Sequence, residues 1–272
     1  MVWLFFILPP LIIGAIIAFG LLYWHSSEPP VALKTPVEET TAPPEEQASV
    51  QEIVEDPNAP RIYLTFDDGP SQNSTPRILE ILATYDLRAT FFVLGYMAET
   101  YPDLIRAQSD AGHVIANHGY SHDYGVLYAS TDSFMANIEQ CESVLTGILG
   151  QQPPRITRFP AGSAAVQLDN DPAMREAIKA RLVEGGWRYF DWNVSMGDSI
   201  LEAPSPGELG SRLIAMIDEQ IAYGSTDIVV LAHDVDAKPW TPIDLPMVIE
   251  HCLNSGYVFK VLTHETPPVE QR

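Results

Sequence analysis

The alternation of short apolar runs with amphipathic stretches after residue 60 constrains the fold of this chain most. Seven candidate strands lie at residues 62–66, 90–94, 114–116, 157–159, 189–193, 228–232 and 258–262. The candidate helices between them lie at residues 75–85, 133–149, 171–184, 206–222 and 246–255. Alternating strands and helices predict a parallel sheet covered by helices. We therefore expect an α/β fold, a deformed (β/α) barrel of about seven parallel strands, with its chemistry at their carboxyl ends.

Residues 1–24 form an apolar run without a single Asp, Glu, Lys or Arg. A helix of about 20 apolar residues spans a bilayer, and Tyr23 and Trp24 fit an interfacial belt of aromatic residues. A cleaved signal peptide has a basic start and a shorter apolar region. We predict a single-pass transmembrane anchor or signal-anchor over residues 1–25, with a cleaved and secreted form as the alternative.

The remaining chain divides by composition. Residues 26–60 are rich in Pro, Glu, Thr and Ala, which predicts a disordered and extended linker. Residues 61–265 form the predicted catalytic domain, and residues 266–272 a C-terminal tail.

The formal net charge of -21 argues against a nucleic-acid partner, because no basic stripe is present to neutralise phosphates. Cys141 and Cys252 lie in helix-like segments and are expected to be buried free thiols, with one disulfide as the alternative.

Ionisable residues follow the candidate strands where each strand ends. Asp67 and Asp68 follow the first strand, His118 and His122 follow the third, and His233 ends the run at 228–232. The spacing of the two earlier histidines places them on one face of a helical turn, from which both can bind one metal ion. Because the carboxyl ends of parallel strands meet at one edge, these residues predict a metal-assisted hydrolase.

Two further charged residues belong to the candidate site. Arg158 is a charge inside an apolar strand, and a buried arginine requires a carboxylate partner. Asp198 lies in the loop after the run at 189–193, and Asp191 is its rival for the functional carboxylate of that segment.

Five motifs, in order over residues 61–263, resemble those of the polysaccharide deacetylases, the NodB-like domain of carbohydrate esterase family 4. They are Thr-Phe-Asp-Asp-Gly at 65–69, His-Gly-Tyr-Ser-His at 118–122, Arg-Phe-Pro-Ala-Gly at 158–162, the segment 191–198 and Leu-Ala-His-Asp at 231–234. The resemblance implies that Asp68, His118 and His122 bind a divalent metal ion, usually zinc. It also implies that Asp67 is the general base acting on a metal-bound water.

The same resemblance implies roles for four further residues. His233 is the general acid that protonates the departing amine, and Asp198 orients it. Arg158 holds the general base in place, and the backbone N–H of Ala161 helps to bind the oxyanion. The carboxylate beside His233 is expected to raise its pKa and keep it protonated near neutral pH.

The activity implied is that of a hydrolase of carbon–nitrogen bonds in linear amides, which removes N-acetyl groups from a GlcNAc-containing polysaccharide. Peptidoglycan is the favoured substrate, because an anchored bacterial domain on a spacer faces the periplasm or cell wall; chitin-like chains and exopolysaccharide are the other candidates. Two alternatives stay open: an O-acetyl esterase acting on xylan-type chains, as in some members of the family that this chain resembles, and a catalytically silent glycan-binding envelope protein.

Three positions depart from the family pattern. Gly119 stands where the family usually has Ser or Thr, and we expect a more mobile loop and weaker metal binding there. Ala161 replaces a common Tyr, and Ser199 replaces a frequent Trp. Part of the acetyl pocket must then come from Trp192 or Trp240.

Overall fold

The computed structural model describes residues 56, 58–165, 168, 171–199 and 205–271. The predicted anchor at 1–25 and most of the predicted linker at 26–60 lie outside the described residues. Among the helices that are described, none has both the length and the apolar character needed to cross a membrane.

Short parallel strands form one sheet, as the alternating sequence pattern predicts. The strands are β1 (Arg61–Asp67), β2 (Thr90–Val93), β3 (Val114–Asn117), β4 (Ile156–Thr157), β5 (Arg188–Tyr189), β6 (Val194–Ser195), β7 (Asp227–His233) and β8 (Val258–Phe259). Their order is β5-β4-β3-β2-β1-β7-β6, and β8 pairs with β1 outside that path. The sheet curls into an incomplete barrel, so the predicted α/β class and strand direction are confirmed.

In place of the single strand predicted at residues 189–193, the structure has β5 and β6 at opposite ends of the sheet order, with residues 190–193 between them. Phe190 still bonds to β4, since its N–H donates to the Thr157 carbonyl at 3.0 Å. Asn193 already bonds to β7, since its N–H donates to the Val229 carbonyl at 3.2 Å. The apolar run indicated extended structure but not its partners, and the change of partner between these residues brings the two ends of the sheet together.

The helices cover the outside of this sheet. They are α1 (Ser74–Thr84), α2 (Gly95–Thr100), α3 (Pro102–Asp110), α4 (Tyr124–Leu127), α5 (Thr131–Leu149), α6 (Pro172–Glu184), α7 (Glu208–Ala222) and α8 (Thr241–Asn254). The sequence did not predict α2, α3 and α4, which are too short for a clear periodic pattern. Helix α8 begins at Thr241 and not at the predicted start at 246, so that Pro246 lies inside it. Pro242 takes the first-turn position, where a missing backbone N–H costs no hydrogen bond.

Strand β1 is buried on both faces, as a parallel strand between helices and a barrel interior should be. Ile62 and Leu64 belong to the main core cluster with Ile78 of α1. Tyr63 points the other way and packs with Val229 in a second group, the inner cluster. The inner cluster consists of Tyr63, Phe92, Ala116, Ile156, Phe190, Val229 and Leu262.

The two cysteines behave as the sequence predicted. Cys141 of α5 and Cys252 of α8 are both free thiols with no exposed surface. Both belong to the main core cluster, where they act as small apolar side chains.

Candidate active site

The sheet register brings the predicted residues to one edge. Asp67 of β1 lies beside His233 of β7 in the strand pairing. Asn117 of β3 pairs with Thr157 of β4 in the same way, so the residues that follow them, His118 and Arg158, are also neighbours. A pocket of about 350 Å³ opens at this edge, and its lining includes Asp67, His118 and His233.

Three side chains form a group that can hold a metal ion. One ligand atom from each of Asp68, His118 and His122 lies within 4.8 Å of the others. Asp68 Oδ1 is 3.4 Å from His118 Nε2 and 3.6 Å from His122 Nε2. The same oxygen is buried and has no hydrogen-bond partner among the described residues. A buried carboxylate oxygen facing two imidazoles needs a positive partner, which a divalent ion supplies.

The hydrogen bond of His118 fixes which of its nitrogens can bind a metal. Its Nδ1 lies 3.0 Å from the Arg158 carbonyl oxygen. Because a carbonyl oxygen only accepts, Nδ1 carries the proton and Nε2 presents a lone pair towards Asp68. Such a bond to the second ring nitrogen is the usual way in which a metal-binding histidine is oriented.

The charge states of the other two ligands also fit a cation. Burial lowers the pKa of His122 and favours its neutral form, the form that binds metals. Burial raises the pKa of Asp68, but the contacts with His118, His122 and His233 outweigh it and hold this pKa well below its usual range. One carboxylate and two neutral imidazoles form a donor set suited to zinc.

Arg158 is the buried partner of Asp67. Its side chain has no exposed surface, and Nη1 donates to Asp67 Oδ1 at 2.8 Å and to Thr65 Oγ1 at 2.7 Å. Nε donates to the Phe190 carbonyl at 2.9 Å, so the guanidinium is held from two sides. The arginine fixes one carboxylate oxygen of Asp67, and the other lies 3.7 Å from His118 Nε2.

Asp198 holds His233 at two points. Asp198 Oδ1 lies 2.8 Å from His233 Nδ1, and Oδ2 accepts the backbone N–H of His233 at 2.8 Å. Thr241 Oγ1 donates to the same Oδ2 at 2.7 Å. Burial lowers the pKa of His233, but the bond to Asp198 and the charges of Asp198, Asp67 and Asp68 raise it to about 9. The imidazole is therefore protonated near neutral pH, and its Nε2 lies 4.0 Å from Asp68 Oδ2.

The two rival carboxylates of the fourth motif have different positions. The carboxylate of Asp198 bonds to His233, whereas that of Asp191 bonds to Ser163 and to the Gln271 N–H. Ala161 lines the pocket and has a φ of 67°, a left-handed conformation that is unusual for a residue with a side chain.

The loop at Gly119 is held by hydrogen bonds, in contrast to the more mobile loop that we expected from the sequence. Asn117 Oδ1 accepts the Gly119 N–H at 2.7 Å, and Asn137 Oδ1 accepts the Tyr120 N–H at 2.6 Å. Gly119 has a φ of +85°, and a Cβ there would lie 2.5 Å from Asn137 Oδ1. Two asparagine side chains therefore brace the loop, and they need a glycine at this position.

The pocket walls include residues that the sequence left undecided or did not indicate. Trp192 and Ser199 line the pocket, whereas Trp240 packs against the main core cluster. Tyr124 also lines it, with its ring centroid 4.8 Å from that of His122. Lys238 contributes a cation to the lining. Neither Tyr124 nor Lys238 directly follows a predicted strand, which was the signal that identified Asp67, His118 and His233.

Asp234 is a buried acid that the sequence placed in a motif but gave no role. It has no exposed surface, and Thr75 Oγ1 donates to its Oδ2 at 2.7 Å. Burial raises the pKa of Asp234 to about 7. Its position directly after His233 was the available signal.

The chain resembles known proteins over most of its length. Residues 54–179 match the family model described as polysaccharide deacetylase. The peptidoglycan-N-acetylglucosamine deacetylase of Bacillus cereus is 28% identical over 206 residues, which cover 75% of this chain and 70% of that protein. The peptidoglycan-N-acetylmuramic acid deacetylase PdaA of Bacillus subtilis is 30% identical over 199 residues, covering 73% and 68%. The crystal structure of the catalytic domain of peptidoglycan N-acetylglucosamine deacetylase from Eubacterium rectale is 31% identical with a TM-score of 0.71, covering 80% of this chain and 94% of that one.

Proposed function

Because this chain belongs to the polysaccharide deacetylase family, we propose that it hydrolyses N-acetyl groups of a GlcNAc-containing polysaccharide and releases acetate. The observation that carries the proposal is the convergence at one pocket of a metal-binding group, a fixed carboxylate and a protonated imidazole. Amide hydrolysis requires these three parts, since water is a weak nucleophile and an amine leaves only when it is protonated.

Asp68, His118 and His122 would hold a divalent ion, and zinc suits their donor atoms best. When bound, such an ion makes water more acidic and polarises the acetyl carbonyl. His118 and its bond to the Arg158 carbonyl link this ligand group to the buried arginine.

Asp67 is the general base. Arg158 holds its Oδ1 at 2.8 Å, which leaves Oδ2 directed towards the ligand group. Asp67 accepts a proton from the attacking water as the oxygen–carbon bond forms. A base fixed in this way has little reorganisation to undergo during the reaction.

His233 is the general acid. It lines the pocket and donates its Nε2 proton to the nitrogen as the carbon–nitrogen bond breaks, so the products are acetate and a free amine. Asp198 keeps the other ring nitrogen bonded and stabilises the protonated ring.

The acetyl group would lie in this pocket beside the ligand group. Ala161 lines the pocket, and its backbone N–H would donate to the oxyanion as negative charge develops. Trp192 lines the same pocket and supplies the apolar surface that the family obtains from a tryptophan at the position of Ser199.

Peptidoglycan is the substrate that we favour. Two relatives described above are named as peptidoglycan deacetylases, one acting on N-acetylglucosamine and one on N-acetylmuramic acid. An N-terminal membrane anchor and an extended linker, both proposed from the sequence, would place the domain outside the cytoplasmic membrane, where this polymer lies.

A substrate panel tests the proposed function and separates its alternatives. The full chain, purified in detergent and loaded with zinc, is given peptidoglycan, GlcNAc oligomers and acetylated xylan, and acetate is measured. We expect release from the N-acetylated polymers, with peptidoglycan preferred. Release from xylan alone would establish an O-acetyl esterase. No release from any polymer, with no zinc retained after loading, would favour the catalytically silent protein over the deacetylase.

A further inference from the structure

Residues 263–271, which we name the C-terminal strap, bond to the chain at β5 and between β5 and β6. The Asp191 N–H donates to the Val269 carbonyl at 2.8 Å, so the strap bonds to the chain between these two strands. The side chain of Val269 packs against the inner cluster. Arg188 Nη2 also donates to the Thr266 carbonyl at 3.1 Å. The strap is therefore bonded to the end of the sheet and partly enters the barrel.

Asp191 joins the strap to the loop at residues 159–165. Its carboxylate is fully buried, and Oδ1 accepts the Ser163 N–H at 2.8 Å. Oδ2 accepts the Ser163 hydroxyl at 2.5 Å and the Gln271 N–H at 2.7 Å. Three donors from two segments converge on one buried charge, and bonds to a charged acceptor are stronger than bonds between neutral groups.

The strap also touches the loop directly. Gly162 has a φ of +86°, and a Cβ there would lie 2.8 Å from Gln271 Oε1 and 3.1 Å from the Trp192 ring. This glycine directly follows Ala161, whose left-handed conformation must be held by its surroundings. The strap and Trp192 together leave no room for a side chain on residue 162.

The backbone of Asp191 also connects the strap to Asp67, the proposed general base, through Arg158. Its carbonyl accepts Arg158 Nη2 at 3.0 Å, and Nη1 of the same guanidinium holds Asp67. A displacement of Asp191 would therefore disturb both the loop that carries Ala161 and the arginine that holds Asp67.

We propose that Asp191 is a positioning residue through which the C-terminal strap fixes the loop carrying Ala161. The side chain of Asp191 bonds only to Ser163 and Gln271 among the described residues, and its effect on the reaction passes through the loop. The positioning itself is independent of the reaction, whereas its catalytic consequence rests on the proposed function.

A matched pair of variants at residue 271 isolates the bond from the strap. Gln271→Pro removes the backbone N–H that Asp191 accepts, whereas Gln271→Ala keeps that N–H and removes only the side chain. Asp191→Asn is the second test variant, since its amide group cannot accept from every donor that the carboxylate binds. All are made in the full chain in detergent, and amide hydrogen exchange is followed in peptides covering residues 159–165.

Exchange in the loop should be about tenfold faster or more in Gln271→Pro and in Asp191→Asn, because each loses a bond to a buried charge. Gln271→Ala should exchange at nearly the wild-type rate. Zinc affinity should be unchanged in all three variants, because no metal-binding side chain is altered. Wild-type exchange in the loop of Gln271→Pro would overturn the proposal. Faster exchange throughout the domain, with zinc affinity lost in parallel, would overturn it too, because it would show a purely structural role.

Kinetics then measure the catalytic consequence. In Gln271→Pro and Asp191→Asn we expect kcat to fall about tenfold with KM little changed, because the oxyanion donor acts mainly in the transition state. An unchanged kcat with a faster loop would overturn the link between the loop and catalysis. If the wild-type chain releases no acetate, the proposed function fails, while the exchange experiment still decides the positioning role of Asp191.

Discussion

Asn137 occupies the space that a side chain on residue 119 would need. A Cβ on Gly119 would lie 2.5 Å from Asn137 Oδ1, and the φ of +85° at Gly119 favours glycine independently. The same Oδ1 accepts the backbone N–H of Tyr120 between the two metal-binding histidines. The glycine that departs from the family pattern is therefore matched to an asparagine from helix α5.

Gly119→Ser, which restores the usual family residue, should weaken the site. The new side chain must displace Asn137, and we expect a loss of stability of about 1–3 kcal/mol with lower zinc affinity. Urea unfolding and zinc titration measure the two effects. Gly147→Ala is the control, because a Cβ there meets nothing within 4 Å and alanine favours the helix. Tighter zinc binding in Gly119→Ser would contradict this account of the loop.

Asp198→Asn should move the alkaline limb of the pH profile to lower pH. His233 donates a proton, so activity is lost as the pH rises through its pKa, which Asp198 helps to raise to about 9. Removing the carboxylate charge lowers that pKa and leaves less of the protonated form at a given alkaline pH.

The profile of kcat/KM against pH measures this shift. The control is Asp218→Asn, which alters a carboxylate bonded to His251 at 2.9 Å on the α7–α8 surface. An alkaline limb at the same pH in Asp198→Asn and in the wild type would show that His233 is not the acid whose titration limits activity.

Arg158→Met should be far more destabilising than the loss of a surface ion pair. It leaves Asp67 buried without its cation, which costs about 3–5 kcal/mol. Arg106→Met removes an exposed pair with Asp103 and should cost less than about 1 kcal/mol. Urea unfolding of both variants at neutral pH gives the comparison, and similar losses would contradict the role assigned to the buried pair.

The two thiols should be unreactive in the folded protein. Burial raises the pKa of Cys252 to about 12 and also raises the pKa of Cys141, so neither forms a thiolate near neutral pH. A disulfide-exchange reagent should label neither cysteine in the native chain and both after unfolding in denaturant. Rapid labelling of the native protein would show that one helix carrying a cysteine is less well packed than the structure indicates.

The sequence predicted the fold class because strand ends and helix periodicity are local signals. Asp67 and His233 are visible as polar residues that end apolar runs, and a parallel sheet then brings them together. The division of the run at 189–193 into β5 and β6 was not visible, since it depends on which neighbour each residue meets. Pairing partners are a property of the whole sheet and cannot be read from one segment.

The contacts that support the site were also beyond the sequence. Asn137 is 18 positions from Gly119, and nothing in its helix marks it as the acceptor for the metal-binding loop. Asp191 was recognised as an acid of the fourth motif, but its bond to Gln271 spans 80 positions. Long-range hydrogen bonds of this kind leave no periodic pattern in a single chain.

The most direct test of the account is acetate release from GlcNAc oligomers by the full chain, chelated and then supplied with or without zinc, in the wild type and in Asp67→Asn. The account predicts that zinc restores activity to the wild type, while Asp67→Asn binds zinc normally and is about 10²–10⁴-fold slower. Asp103→Asn, altered at an exposed carboxylate, is the control and should match the wild type. Activity that is independent of zinc, or unchanged in Asp67→Asn, would contradict the assignment of a metal site with Asp67 as its base.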